Sequence, residues 1–459
     1  MEQNSKNELG TASIGKLLVK MAAPAITAQI VNLLYNLVDR MYIGHIKDIG
    51  ALALTGVGVT LPLIMIISAF AALISMGGAP RASIFMGKGE NDNAEKILGN
   101  CMVSLVLISL VLTGGFYFFA DDLLMIFGAS ANTIGYALEY FNIYNMGTIC
   151  VQLTLGMNAF ITAQGFAKTS MITVVIGAVC NIILDPILIF GFNMGVRGAA
   201  LATIISQGVS AVYVIKFLMG KKTILRLKKK NLRLSPKIMM PCIALGLSPF
   251  IMQSTESIIT ICFNSSLLKY GGDIAVGAMT ILTSIMQFTM LPLMGLSQGA
   301  QPIISYNYGA RNAKRVKTAF KDLLLVSFAF SATLWAGVEL FPQMFIQLFN
   351  NDPQLVEFAT HALRVYMAVS GIFGIQIACQ QTFIAIGNAK SSLFLAILRK
   401  ILLLIPLIYI LPMFMADKTT AVFMAEPFAD FIAVISTAGL FFYQFKRAML
   451  DLESLPKMN

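Results

Sequence analysis

About twelve stretches of this chain are apolar and long enough to cross a lipid bilayer, at roughly 20 residues each. They lie near 17–39, 50–77, 97–119, 134–158, 166–191, 198–219, 238–266, 274–300, 317–341, 357–385, 393–414 and 422–445. In lipid, backbone amides and carbonyls must pair within the protein, which leaves helices or closed barrels. Barrel strands are short and alternate apolar with polar residues. These runs are uniformly apolar, so they read as helices of an all-α membrane protein. The charge content agrees: 12% of residues are charged, about half the share in a soluble chain. Residues 1–16 are polar and no small-residue cleavage site follows the first run. That run is therefore expected to be a mature helix and not a signal peptide.

The formal net charge of +11 raises nucleic acid as a partner, but its placement argues against one. With the N-terminus inside, about 25 of the 33 Lys and Arg fall on the cytoplasmic side. The opposite loops hold Arg40, Lys47, Arg197, Lys269 and Lys418, while Arg364, Arg399 and Lys400 fall inside spans. This positive-inside pattern puts both termini in the cytoplasm. The run KKTILRLKKKNLR, Lys221 to Arg233, is expected to be a linker lying on anionic lipid.

The chain repeats itself at an offset of about 219–225 residues, each half holding six spans. Pro24 aligns with Pro249, Asp48 with Asp273, Thr55 with Thr280, Tyr144 with Tyr366, Gly165 with Gly387 and Lys168 with Lys390. An even number of spans per half gives a parallel repeat about an axis along the membrane normal. The expected division is a six-helix lobe at 1–220, a basic cytoplasmic linker at 221–237, a second lobe at 238–446 and a cytoplasmic tail at 447–459. Such folds carry substrate between the lobes and move by rocking.

Asp185 sits inside the fifth span, in NIILDPILIFG. A carboxylate at mid-bilayer costs roughly 2.5–3.5 kcal/mol on insertion scales, so it marks a functional site by default. Pro186 follows and bends the helix beside it. Asn181, one turn back, is placed to line the same pocket. In the second half the counterparts of Asn181, Asp185 and Pro186 are Leu403, Leu407 and Ile408, so the acid belongs to the first lobe alone.

Polar stripes run along other spans. The first carries Gln29, Asn32, Asn36 and Asp39 on one face, with Tyr35 beside them. The fifth shows Thr173, Gly177, Asn181 and Asp185; the seventh Gln253, Glu256 or Ser257, Thr260 and Asn264; the tenth Gln376 and Gln380. A wet cavity between lobes accommodates all four stripes. Hydrogen-bonded glue between helices would account for any one of them. Pro24 interrupts the first helix one turn before Gln29, and it and Pro186 are the expected hinges. Glu426 and Asp430 flank Pro427 near the start of the last helix, which fits a structural or interfacial role as well as a functional one. The 27 methionines and 32 phenylalanines suit adaptable apolar pockets and equally fill membrane helices. The six cysteines fall in spans without a CxxC, and His45 and His361 are far apart. No disulfide, metal centre or cofactor is expected of them.

With these residues in view, the chain resembles the multidrug and toxic compound extrusion (MATE) family, in its MepA-like bacterial branch, over essentially its full length. The carrying motifs are NLLYNLVDRMYIG, NIILDPILIFGF, GAALAT and SQGAQPIISYNYGARN. The resemblance implies efflux of amphipathic, often cationic drugs from the bacterial cytoplasmic membrane, driven by inward H⁺ or Na⁺. It implies a cation site in the first lobe, at Asp39, Asn181, Asp185 and Thr203. The cavity would be lined by Gln29, Asn32, Tyr35, Asn36, Gln253, Glu256, Gln376 and Gln380, and the protein would act as a monomer. Some relatives carry acids in the seventh and tenth helices. Here Glu256 stands in the seventh, but the tenth offers only Gln376, Gln380 and Gln381.

Rival readings fit less well. A major-facilitator carrier would show a GxxxDRxGRR-like signature where this chain has GGAPRASIFMGKGEND. A lipid-linked oligosaccharide flippase of the related superfamily would need a strongly cationic cavity. A membrane-embedded enzyme would need a Walker loop, an HExxH or a Ser/His/Asp set, none of which is present. A channel would need a filter.

Overall fold

The structure is a computed structural model that describes residues 8–454. Among these residues all regular structure is helical. The first half comprises α1 (Ile14–Gly44), α2 (Gly50–Gly87), α3 (Asn91–Ile126), α4, α5 and α6 (Val196–Met219). Helix α4 is a pair, Ile134–Met146 and Thr148–Ala163, bent by 57°. Helix α5 (Ala167–Pro186) continues as a π-helical turn, Ile187–Gly191. Next come two helices joined by a sharp turn, together Pro236–Gly309, 74 residues. At 1.5 Å per residue this stretch is several times longer than a bilayer is thick, so it must cross twice. It turns at Gly272, whose φ of 66° is accessible to a residue without Cβ. Its arms are α7 (236–271) and α8 (273–309). Then follow α9 (Ala313–Leu340), α10 (Pro353–Tyr366 and Ser370–Ala385, bent by 45°), α11 and α12 (Lys418–Ser454). Helix α11 joins Ala389–Ile397 to Ile405–Phe414 through a π-helical Leu398–Leu404. The twelve expected spans are all present. Most extend past their apolar runs into polar turns, which water can solvate.

The repeat is visible in the backbone. Gly165 and Gly387, one before α5 and one before α11, both have left-handed φ, at 92° and 80°. Both fifth helices of a half, α5 and α11, contain π-helical turns.

Each half has one core at the end away from the termini. In the first half, Ile43, Leu63, Phe141 and Ile189 pack there; in the second, Phe263, Leu282, Leu363 and Phe423 do. The cores at the terminal end are mixed. Leu17, Leu18 and Met21 of α1 pack with Leu296, Ile303 and Phe383 of the second half. Reciprocally, Met239 and Cys242 of α7 pack with Ile74, Leu98 and Phe160 of the first. The first helix of each half thus spans both halves.

At the terminal end the halves meet through glycines. A Cβ on Gly87 would strike the Tyr306 carbonyl, and one on Gly309 the Ile84 carbonyl. Gly295 and Gly299 of α8 meet the backbone of Ile26 and Ala22, on either side of Pro24. Small residues allow such close backbone approach in lipid, where dispersion and not the hydrophobic effect holds helices together. Toward the other end, Phe70 meets Phe250 edge-on at 5.0 Å, and Ser257 approaches Met65 at 3.6 Å. Beyond this level Asn32, Asn36, Glu256 and Thr260 are exposed. Lipid would not tolerate them there, so a wet cleft opens between the halves, away from the termini.

The basic linker is held to the first half. The Gln164 Oε1 accepts from the Thr223 hydroxyl and from the amides of Ile224 and Leu225, at 2.7–2.8 Å. Glu95, buried, accepts from the Arg226 amide at 3.1 Å and pairs with Lys228 at 2.5 Å. Asn100 accepts from the Ser235 amide at 2.6 Å. The segment before α1 makes the mirrored contact. Arg315 and Asn307, in the second half, donate to the Leu9 carbonyl, at 3.1 and 2.8 Å.

Candidate functional site: two unequal polar clusters

The first cluster lies where α1, α5 and α6 converge. It brings together the four residues that the family resemblance implies. Asp39, Asn181, Asp185 and Thr203 are all buried. The Asn181 amide donates to Asp185 Oδ1 at 3.3 Å and to Thr203 Oγ1 at 3.5 Å. The carboxyl groups of Asp39 and Asp185 face each other. Tyr35 lies beside Asp39, Asn36 and Gln207, and Tyr140 meets Thr203. Pro186, directly after Asp185, has no amide to donate. The helix relaxes into a π turn there, a feature that recurs at functional sites.

The polarity of this cluster is one-sided. Asp39 Oδ1, Asp185 Oδ2 and Asn181 Oδ1 are buried without a hydrogen-bond partner. All three are acceptors. Buried acceptors left unpaired cost free energy, and two carboxyls together call for a proton or a cation between them. Farther along α5 the stripe changes character. Ser210 Oγ donates to the Thr173 carbonyl at 3.2 Å, and Gly177 sits against the same hydroxyl. That part is interhelical glue.

On α1, Asn32 and Asn36 are exposed, while Gln29 and Tyr35 are half-buried. Asn36 donates to the Asn32 carbonyl at 2.7 Å, and Gln29 bridges the halves by donating to Gln298 at 3.2 Å.

The second cluster differs from expectation. Glu256, expected on the cavity wall, is half exposed and paired: its Oε1 lies 2.6 Å from Lys400 Nζ. Next to this pair, Arg399 binds Asp430 at 2.6 Å and Glu426 at 3.1 Å. Its guanidinium stacks over Phe373 at 4.4 Å. Glu426 and Asp430 are therefore partners in a buried ion network. Gln380 also departs from its expected place on the cavity wall. It is buried, and its amide donates to Ser248 Oγ at 2.8 Å and to the Ser392 carbonyl at 2.9 Å. It fastens α10 to α7 and α11. Gln376 is likewise buried, and Gln253 remains half-exposed. Sequence reasoning missed Arg399 and Lys400 as site residues, although a base inside a span carries the same cost as an acid.

Known proteins share this architecture. The MatE family model matches residues 24–187 and again 249–410, one match per half. The multidrug export protein MepA of Staphylococcus haemolyticus is 27% identical over 400 residues, covering 87% of each chain. MepA of Staphylococcus aureus strain NCTC 8325 is 26% identical, covering 86% of this chain and 87% of its own. Among solved structures, a MATE protein in the bent conformation superposes with a TM-score of 0.91 at 22% identity, over 98% of this chain and 99% of that one. An outward-facing MATE transporter gives 0.88 at 23%, over 98% of both chains. With a duplicated match and a shared fold over nearly every residue, this multi-pass membrane protein belongs to the MATE family.

Proposed function

We propose that the protein is a multidrug antiporter of the bacterial cytoplasmic membrane. In this reading it exports amphipathic, often cationic compounds in exchange for inward H⁺ or Na⁺. The observation that carries it is the Asp39–Asp185 pair with its three unpartnered acceptor oxygens. A proton on one carboxyl, or a cation among the oxygens, satisfies them. Such a ligand also removes a charge from the space between α1 and α5. It therefore has different affinity for states in which those helices sit differently, which is what coupling requires.

The cleft between the halves is the cargo path. It is closed at the terminal end by glycine contacts and open at the other. With both termini cytoplasmic, as the Lys and Arg distribution supports, this is the outward-facing state. The moving bodies are lobes 1–220 and 238–446, joined by the segment 221–237 and followed by the tail 447–459. The protein acts as a monomer, since each half already supplies the other's closing surface. The named relatives are export proteins, which agrees with this reading.

The test is export from proteoliposomes with pH and Na⁺ gradients imposed separately. One gradient alone should drive wild-type export, and Asp185→Asn should abolish the response to it. Export that ignores both gradients would sink the coupling model.

A further inference from the structure

The charges of the second cluster do not balance. Glu256 on α7, and Glu426 and Asp430 on α12, are three carboxylates. They face two cations, Arg399 and Lys400, both in the π-helical turn of α11. Tyr366 is the further titratable group packed against them. Arg399, Lys400, Glu426 and Asp430 are each at most 5% exposed, whereas the Glu256 side chain is 49% exposed. The four buried charges balance, two against two, so the extra carboxylate is the open one, Glu256, and it faces the cleft.

We propose that a lipophilic organic monocation carried as cargo competes with Lys400 for Glu256, the ammonium being its tethered stand-in. This rests on the efflux reading above and adds the residue that sets cation affinity. The Lys400 ammonium holds Glu256 at 2.6 Å. When a lipophilic monocation enters, it takes Glu256. Lys400 then turns from Glu256 toward the acids of α12, which hold its neighbour Arg399. When the cleft changes shape, Lys400 returns to Glu256 and displaces the cargo.

The repeat supports a division of labour. The first-half counterparts of Arg399 and Lys400 are Gly177 and Ala178, and the second-half counterpart of Asp185 is Leu407. Among the described residues, the buried cations stand in the half that lacks the unpartnered aspartate. One half has open oxygens for a coupling ion; the other has an acid guarded by its own base.

The experiment measures binding of radiolabelled tetraphenylphosphonium, a permanent cation, to the purified full chain in nanodiscs. Lys400→Met removes the competitor and should tighten binding by about fivefold or more, the scale of a part-exposed ion pair. Glu256→Gln should weaken it by about tenfold, the loss of one charge contact. The double variant should show no gain over Glu256→Gln. Folding is followed by monodisperse elution and thermal transition. Should Lys400→Met fail to fold, infrared difference spectra of the wild type supply the same answer. Tetraphenylphosphonium should perturb a carboxylate band that is absent from Glu256→Gln. A folded Lys400→Met that binds no tighter than wild type overturns the proposal. So does a Glu256→Gln that binds as well, or a wild type whose carboxylate bands ignore the probe. Gradient-driven export of an uncharged drug by the wild type tests the efflux reading independently of any of these outcomes.

Discussion

Gly87 and Gly309 occupy the same position in the two repeats, and each lies against a backbone carbonyl of the other half. The contact is its own mirror image, so the α2–α8 crossing lies on the pseudo-twofold axis. Neither position tolerates a Cβ without moving the helices apart. Gly309→Val should therefore penalise the state closed at the terminal end by about 1–3 kcal/mol, the usual cost of overpacking. A two-state equilibrium shifts by up to about a hundredfold for such a penalty. Spin labels on Cys at positions 48 and 273, with native cysteines removed, report the opposite end. The variant should shift that distance distribution toward shorter values. An unchanged distribution would mean that the glycine contact does not set the equilibrium.

Asp185→Asn keeps the size of the side chain and fixes it in an uncharged state. The Asn181–Thr203 contact survives, and the demand for a proton or cation beside Asp39 is reduced. Insertion and thermal stability should stay near wild type, since a buried charge has been removed without leaving a hole. Gradient-driven export should fall by at least about tenfold, corresponding to about 1.4 kcal/mol of lost coupling. Export at the wild-type rate would refute the first cluster as the coupling site.

Much of the fold was legible in the sequence because lipid leaves few choices. Twelve apolar runs of bilayer length had to be helices, and the repeat fixed their pairing. The first cluster was legible for a related reason: Asn181 and Asp185 stand one turn apart beside a proline, and their cost in lipid requires a purpose. The second was not. Glu256 could be placed on the cavity wall but not paired, because its partner stands far along the chain, on α11. No local spacing links residues 256 and 400. The clue present in the sequence was the base itself, deep in an apolar run, and the pair of acids four residues apart on α12. Gln380 misled for a different reason. A glutamine on an apolar helix reads the same whether it faces water or ties three helices together, and only packing decides between them.

The linker gives a prediction about stability. Gln164 Oε1 holds three donors of residues 223–225. Gln164→Ala leaves the buried Leu225 amide and the part-buried Ile224 amide without their acceptor, while the Thr223 hydroxyl keeps the Leu225 carbonyl; the loss is about 1–3 kcal/mol. The thermal transition should fall by several degrees, and limited proteolysis should cut faster between Lys221 and Lys230. Unaltered proteolysis would show that the strap is held by other contacts.

Asp417 caps α12 outside the membrane, accepting from the amides of Thr419 and Thr420 at 3.1 Å. The Thr420 hydroxyl and these amides hold its carboxyl below the usual aspartate range. A depressed folded-state value stabilises above the unfolded value and fades as pH falls through the folded one. Asp417→Ala should thus cost about 0.5–1 kcal/mol at neutral pH, the range for an N-cap. The difference from wild type should narrow as the medium is acidified below the ordinary aspartate range. A gap in thermal stability that stays constant on acidification would exclude the capping role.

Pro24 lies between Ala22 and Ile26, whose backbones press on Gly299 and Gly295 of α8. The terminal-end part of α1 therefore belongs to the second half's core, while Asp39 and Ile43 at its other end belong to the first half. Rocking must flex α1 somewhere between these anchors. A proline lowers the cost of bending by removing one helical hydrogen bond. Pro24→Ala restores that bond and stiffens the helix between the two bodies. Drug binding in detergent should change less than about twofold, because no cavity group is altered. Turnover in vesicles should fall several-fold, because every cycle bends α1. The two measurements separate the roles. Loss of binding together with turnover would indicate that the proline shapes the cavity, and turnover equal to wild type would show that α1 does not bend there during transport.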